Sequence, residues 1–205
     1  MNNTLKLLGQ KDPIMKELAS RYPNVSLEGN YMQSEGSLFE NLARSIAGQQ
    51  LSGKAASTIW GRIEKLLDNK IVPDKILLMA DDNLRQAGLS YQKIKYIKNL
   101  AEAVTNGNIQ LDNMKNLTNE EVITHLTTVK GIGRWTAEMF LIFSLSRPDV
   151  FSFGDGGLVS AMKKLYGQSL TMFECENIVK KWAPYQTYAS LLLWESLDNA
   201  PKRIM

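Results

Sequence analysis

Asp155 is the carboxylate in this chain best placed to do chemistry. It stands in SFGDGGLVSAMKKLYG, directly before an amphipathic stretch, and the glycines around it leave its side chain open to whatever approaches. An aspartate at such a place is also a natural N-cap or turn residue. The two roles are compatible, because the helix dipole and nearby N–H groups favour an anion there. A fixed anion is suited to opposing positive charge that develops during a reaction.

Other catalytic groups are few. Cys175 is the only cysteine and His125 the only histidine. This excludes an internal disulfide, and it excludes a self-contained iron–sulfur cluster, which takes about four thiolates. A zinc site built from His and Cys is not expected on the same grounds. His125 falls near the end of a predicted helix, where a solvent-facing or packing role is expected.

The run LTTVKGIGRWTAEMF, from Leu126 to Phe140, holds the second feature. Gly131 and Gly133 interrupt a helical pattern just where another helix begins, the outline of a helix-hairpin-helix. Main-chain N–H groups there, with the start of the second helix, suit a phosphate. The plainer reading is a helix-ending glycine followed by a new helix. Aromatic residues are the third feature: Trp135 opens the helix after the hairpin, and Trp182, Tyr185, Tyr188 and Trp194 crowd the C-terminal region. Core packing is their default role, and a functional one requires an indole beside Asp155. Gln49 and Gln50, finally, occupy a tight turn between helices, where a projecting side chain could fill a gap in a base stack.

The elements that must position these residues read as helices almost throughout, with apolar residues at spacings of three and four. Leu38, Leu42 and Ile46 mark one helix, ended by Gly48, and Ser52 caps the next, carrying Ala55, Ala56, Ile59, Ile63 and Leu66. Pro73 suits a first helical turn. Asp81 opens a short helix that Gly88 can stop, and Ser90 caps a longer one with the stripe Ile94, Ile97, Leu100 and Val104, which leaves Lys93, Lys95 and Lys98 off the buried face. Residues 107–117 read as a polar connector. Thr118 and Glu121 form a capping box for the helix before the hairpin. A loop over 147–157 precedes a helix from Leu158 to Tyr166, and two more follow, from Cys175 to Trp182 and from Tyr185 to Leu197. Residues 1–36 are more weakly patterned, and neither an internal repeat nor a low-complexity tract is found. The fold is expected to be all-α.

Length and composition fit that expectation. The chain has 205 residues, 44% of them hydrophobic, enough for one sizeable domain or two interlocked lobes. No stretch approaches the roughly 20 apolar residues of a membrane span, and the N-terminus does not read as a secretory signal. An intracellular protein with no membrane partner is expected, in the cytoplasm and nucleoid if bacterial and the nucleus if eukaryotic. The net charge of +3 and pI near 8.9 are compatible with nucleic acid without requiring it. Basic clusters such as Lys163 with Lys164 and Lys180 with Lys181 read mostly as solvated helix faces.

Taken together these motifs resemble the helix-hairpin-helix (HhH-GPD) DNA glycosylases, in the alkylpurine branch typified by 3-methyladenine DNA glycosylase II. The resemblance covers about residues 37–198: SIAGQQLSGKAASTI from Ser45, GLSYQKIKYIKNLA from Gly88, VKGIGRWTAEMF from Val129, DVFSFGDGGL from Asp149 and WAPYQTYASLLLW from Trp182. It implies two helical lobes, approximately 37–146 and 1–36 with 147–205, with the active-site cleft between them. It also implies that Asp155 is catalytic and that Trp135, Met139, Tyr188 and Trp194 form a base pocket. Gln49, Gln50, Lys130, Gly131, Gly133 and Thr136 would contact DNA, with Gln50 as the wedge. No cofactor is implied beyond a structural monovalent cation, potassium or sodium, on the main-chain carbonyls of Thr127, Val129 and Ile132. The implied partner is double-stranded DNA containing alkylated bases, bound by a monomer.

Relatives that also cleave the backbone carry a Schiff-base lysine on the second hairpin helix, where this chain has Trp135. The resemblance therefore implies a monofunctional glycosylase. The chain departs from the pattern at Ser152 or Phe153, where proline is common, at Gln186 for arginine, at Met139 for tyrosine and at Gln50 for leucine. Two competing expectations are a non-catalytic DNA-binding protein that uses the hairpin only as a phosphate clamp, and a glycosylase with lyase activity.

Overall fold

The computed structural model describes residues 2–27 and 36–197, and among them every regular element is helical. In chain order these are α1 (Asn3–Lys11), α2 (Pro13–Arg21), α3 (Leu38–Gly48), α4 (Gly53–Leu66), α5 (Pro73–Leu78), α6 (Asp81–Ala87), α7 (Tyr91–Thr105), a 3-10 helix (Leu111–Asn116), α8 (Asn119–Thr127), α9 (Arg134–Phe143), α10 (Gly156–Tyr166), α11 (Met172–Trp182) and α12 (Gln186–Ser196). The chain forms two compact units. Their described residues are 2–27 with 141–197, and 36–140.

In the unit of residues 36–140, helix ends follow local chemistry. Ser37, Ser52, Ser90 and Thr118 each accept a hydrogen bond from the main-chain N–H three residues on, satisfying a donor that the first helical turn leaves over. The Thr118–Glu121 capping box forms in full. Gly88 ends α6 with φ +117°, a left-handed conformation that a side chain would resist. Helix α3 packs on α4 and α7, and α5 and α6 also lie against α7. Leu42, Ile46, Ile63, Leu84, Ile94 and Leu100 are buried among these helices.

Three lysines close helix ends in this unit. Lys75 Nζ donates to the Leu67 carbonyl after α4, Lys93 Nζ to the Ala47 and Gln49 carbonyls at the end of α3, and Lys98 Nζ to the Met79 carbonyl after α5. Each places a cation where the helix dipole and leftover carbonyls are negative. Lys93 and Lys98 are therefore structural although they stand off the buried face, and Lys95 is exposed. The polar connector needs correction. Ile109, Leu111 and Met114 are buried, and the 3-10 helix they anchor packs on α3.

In the unit of residues 2–27 and 141–197, α12 is central and touches α1, α2, α10 and α11. A helix enclosed on all sides must be apolar all round. Accordingly Thr187 and every residue from Ala189 to Trp194 are buried. The weak patterning of residues 1–36 conceals a polar joint. Asp12 caps α2, accepting from the Ile14 and Met15 N–H groups, and its other oxygen accepts from Tyr166 Oη at 2.8 Å and Trp182 Nε1 at 3.0 Å. Burial first, and then the hydrogen bond to Asp12, push the Tyr166 phenol far above its ordinary pKa, so it stays a donor. A buried carboxylate is tolerable only with such a set of partners. No helix among the described residues is long and apolar enough to cross a membrane.

Candidate active site

The segment leading to Asp155 is fastened to the start of α12. Thr187 Oγ1 donates to the Arg147 carbonyl at 2.6 Å and accepts from Val150 N–H at 3.0 Å, and Thr187 N–H donates to the Pro148 carbonyl. Asp149 Oδ1 in turn accepts the Gln186 N–H, satisfying the first turn of a helix that lacks a side-chain cap of its own. Gln186, at the position of an expected arginine, donates its side-chain amide to the Val179 carbonyl. Aromatic packing continues the anchorage. Phe151 lies 5.9 Å from Trp182 and 4.8 Å from Phe153, ring centre to ring centre.

Asp155 then caps α10. Its Oδ1 accepts from Leu158 N–H at 2.8 Å and from the indole Nε1 of Trp194 at 3.1 Å. The helix begins at Gly156, two residues earlier than the apolar pattern indicates, because the cap residue itself sets the start. A Cβ on Gly157 would sit 3.1 Å from Asp155 Oδ1 and 3.5 Å from Trp194 Nε1, so the absence of a side chain there lets carboxylate and indole meet. The carboxylate is half-buried and held at one oxygen by two N–H donors, an arrangement that fixes its direction.

Trp194 is 3% exposed and stacks on Phe143 at 5.7 Å, with an angle of 25° between the rings. The indole serves Asp155 through its N–H edge as a buried support. Tyr188 is half-buried on the same helix; a spacing of six residues sets it about 120° around the axis from Trp194.

The hairpin belongs to the unit of residues 36–140. Between α8 and α9 the chain turns through Val129, whose carbonyl accepts the Ile132 N–H at 3.0 Å. Gly131 has φ +110°, and a Cβ on it would fall 2.3 Å from the Tyr96 ring, so both backbone and space demand glycine. Gly133 is exposed, and a Cβ there would meet no atom within 4 Å. Lys130 is exposed, while its carbonyl accepts from Asn99 Nδ2 at 3.2 Å. Arg134, at the start of α9, pairs with Glu120 and Glu138. Trp135 is 36% exposed and Met139 only 7%.

Two expected DNA contacts turn inward instead. Gln49 Nε2 donates to the Gly131 carbonyl at 3.1 Å and to Thr136 Oγ1 at 3.4 Å. Thr136 is 3% exposed, so its hydroxyl supports the hairpin from within and is not part of the outer surface. Gln50 is exposed and stands in the left-handed region with φ 58°. The structure thus brings Asp155 to Trp194, and Gln49 to Gly131 and Thr136. Trp135 and Met139 lie in the unit of the hairpin, Tyr188 and Trp194 in that of Asp155. Periodicity carried no sign of Thr187, Tyr96, Lys93 or Asn99, because their partners are remote in sequence or lie on loop backbone.

Known proteins resemble this chain in sequence and in fold. The family described as HhH-GPD superfamily base excision DNA repair protein matches residues 43–184. DNA-3-methyladenine glycosylase 1 of Schizosaccharomyces pombe is 37% identical over 183 residues, covering 84% of this chain and 79% of its own. Among solved structures, a 3-methyladenine DNA glycosylase of the same yeast in complex with abasic DNA superposes with a TM-score of 0.84 at 32% identity, over 96% of this chain and 97% of its own. A DNA-3-methyladenine glycosidase from Bacillus halodurans gives 0.83 at 36% identity, over 98% and 92%.

Proposed function

The chain belongs to the HhH-GPD superfamily of base excision DNA repair proteins, and from that premise we propose that it is a monofunctional DNA glycosylase that hydrolyses the N-glycosidic bond of alkylated purines in duplex DNA and leaves an abasic site. The observation that carries this reading is the Asp155 carboxylate, fixed at one oxygen by Leu158 N–H and Trp194 Nε1. Alkylation at N3 or N7 makes a purine cationic, so it departs with the bonding electron pair and needs little protonation. Positive charge then builds on the sugar. Asp155 opposes that charge and accepts the proton of the water that completes the hydrolysis.

A base inside a duplex must first be extruded, at a cost of a few kcal/mol, least where pairing is already damaged. The hairpin N–H groups around Gly131 and Gly133 grip the backbone beside the lesion, and the exposed Gln50 fills the vacated stack. With Trp135 where a lyase carries lysine, no Schiff base forms and the strand is not cut. A monovalent cation on the main-chain carbonyls of Thr127, Val129 and Ile132 is part of the proposal, supported by the end of α8 at Thr127, where a helix leaves carbonyls over and its dipole is negative. Its contribution when bound is to stiffen the hairpin. The proposal takes the protein to act on DNA as a monomer.

Incubation with methylated genomic DNA, followed by chromatography of the released bases, tests the reading. Release of 3-methyladenine and 7-methylguanine is expected. Salt-sensitive binding with no base released would overturn it in favour of a DNA-binding protein without catalysis.

A further inference from the structure

Behind the Gln50 turn and the hairpin stands a single strip of α7. Lys93, Tyr96 and Asn99 follow one another at a spacing of three, which keeps them on neighbouring faces of the helix. Lys93 Nζ holds the end of α3 through the Ala47 and Gln49 carbonyls, at 2.8 and 2.7 Å. Tyr96 lies against Gly131, and Asn99 holds the Lys130 carbonyl. Gln49 closes the circuit. Its carbonyl is fixed by Lys93, and its side-chain amide reaches across to Gly131 and Thr136. Gln50, the next residue, sits in a left-handed conformation that is costly without a glycine and persists only where neighbours enforce it.

We propose that Lys93 and Gln49 are positioning residues, a clamp that holds the Gln50 turn at one fixed offset from the hairpin so that wedge and phosphate grip engage the same DNA strand together. The inference rests on the glycosylase reading above and deepens it. Neither residue touches the reacting atoms, and the clamp acts through Gln50 and Gly131. Two features set it apart from ordinary packing. Lys93 spends two donors on carbonyls of one turn, and the amide of Gln49 links residues 82 positions apart in sequence.

The test uses two duplexes, one intact and one containing a tetrahydrofuran abasic-site analogue beside a 2-aminopurine reporter of unstacking. Lys93→Met and Gln49→Ala are compared with the wild type for affinity to each duplex, reporter fluorescence and thermal melting. The clamp predicts that preference for the abasic duplex falls about tenfold in each variant, with a weaker reporter signal and unchanged affinity for intact DNA. An unchanged preference in either folded variant overturns it, as does an equal loss on both duplexes, which would mark a contact that merely supports the fold. If Lys93→Met fails to fold, Gln49→Ala decides, because it leaves the lysine caps in place. A wild type with no preference for the abasic duplex and no base release would instead contradict the glycosylase reading.

Discussion

Trp194 donates its indole N–H to Asp155 Oδ1 at 3.1 Å, the same oxygen that caps α10 through Leu158 N–H. One carboxylate oxygen thus starts a helix and is aimed by the helix that forms the centre of its unit. Replacing Trp194 by Phe keeps a ring against Phe143 but removes the donor, and a hydrogen bond to a charged group is worth roughly 1.5 to 3 kcal/mol. Single-turnover excision should drop about tenfold or more, with cooperative unfolding retained. Gly157→Ala, which presses a methyl group toward Oδ1, should act in the same direction. Wild-type rates in both variants would show that the carboxylate needs no such aiming.

The two hairpin glycines should behave differently. Gly131→Ala meets both a left-handed backbone and the Tyr96 ring, and a loss of about 3 kcal/mol of stability is expected. Gly133→Ala has open space around its new methyl, so denaturant unfolding should stay within about 0.5 kcal/mol of wild type. Its affinity for abasic duplex should nonetheless fall, since the methyl stands where a phosphate would approach. Equal stability of the two variants would contradict this account of the turn.

Gln50 should show a trade between stability and grip. Gln50→Gly relieves the left-handed conformation, which predicts a gain of roughly 1 kcal/mol in chemical denaturation. The same change removes the projecting side chain and should weaken abasic-site binding. A variant that binds as tightly as the wild type would remove Gln50 from the wedge role.

These cases show how far the sequence could be read. The caps at Ser52, Ser90 and Thr118, the stop at Gly88 and the start at Pro73 were legible because each is decided by chemistry within a few residues. So was the position of Asp155 before α10. The inward turn of Gln49, the lysine caps on α3 and α5, and the joint from Asp12 to Trp182 link residues far apart in the chain, and periodicity has no access to them. The segment 107–117 was misjudged because its buried residues, Ile109, Leu111 and Met114, are too few and too irregularly spaced to stand out among polar ones.

The two capping boxes predict a pH dependence of stability. Glu121 is held below the ordinary carboxylate range by the Thr118 hydroxyl and then its N–H, and Glu174 by the Thr171 N–H and then its hydroxyl. A carboxylate with a depressed folded-state pKa stabilises the fold above its ordinary value of 4.5, and that contribution is lost as pH falls through the lower folded value. The double variant Glu121→Gln with Glu174→Gln should therefore melt at a temperature that changes less between neutral pH and pH of about 3 than the wild type does. Parallel melting profiles would contradict the assignment.

The central claim is that the Asp155 carboxylate performs the excision, and Asp155→Asn tests it most directly. The amide oxygen can still accept from Leu158 N–H and Trp194, so the fold and the DNA grip should persist while the negative charge is gone. Release of 3-methyladenine from a methylated duplex, measured at saturating enzyme, should fall by about 100-fold or more, with affinity for abasic-site DNA close to that of the wild type. Excision by Asp155→Asn at a rate comparable to the wild type would contradict the account.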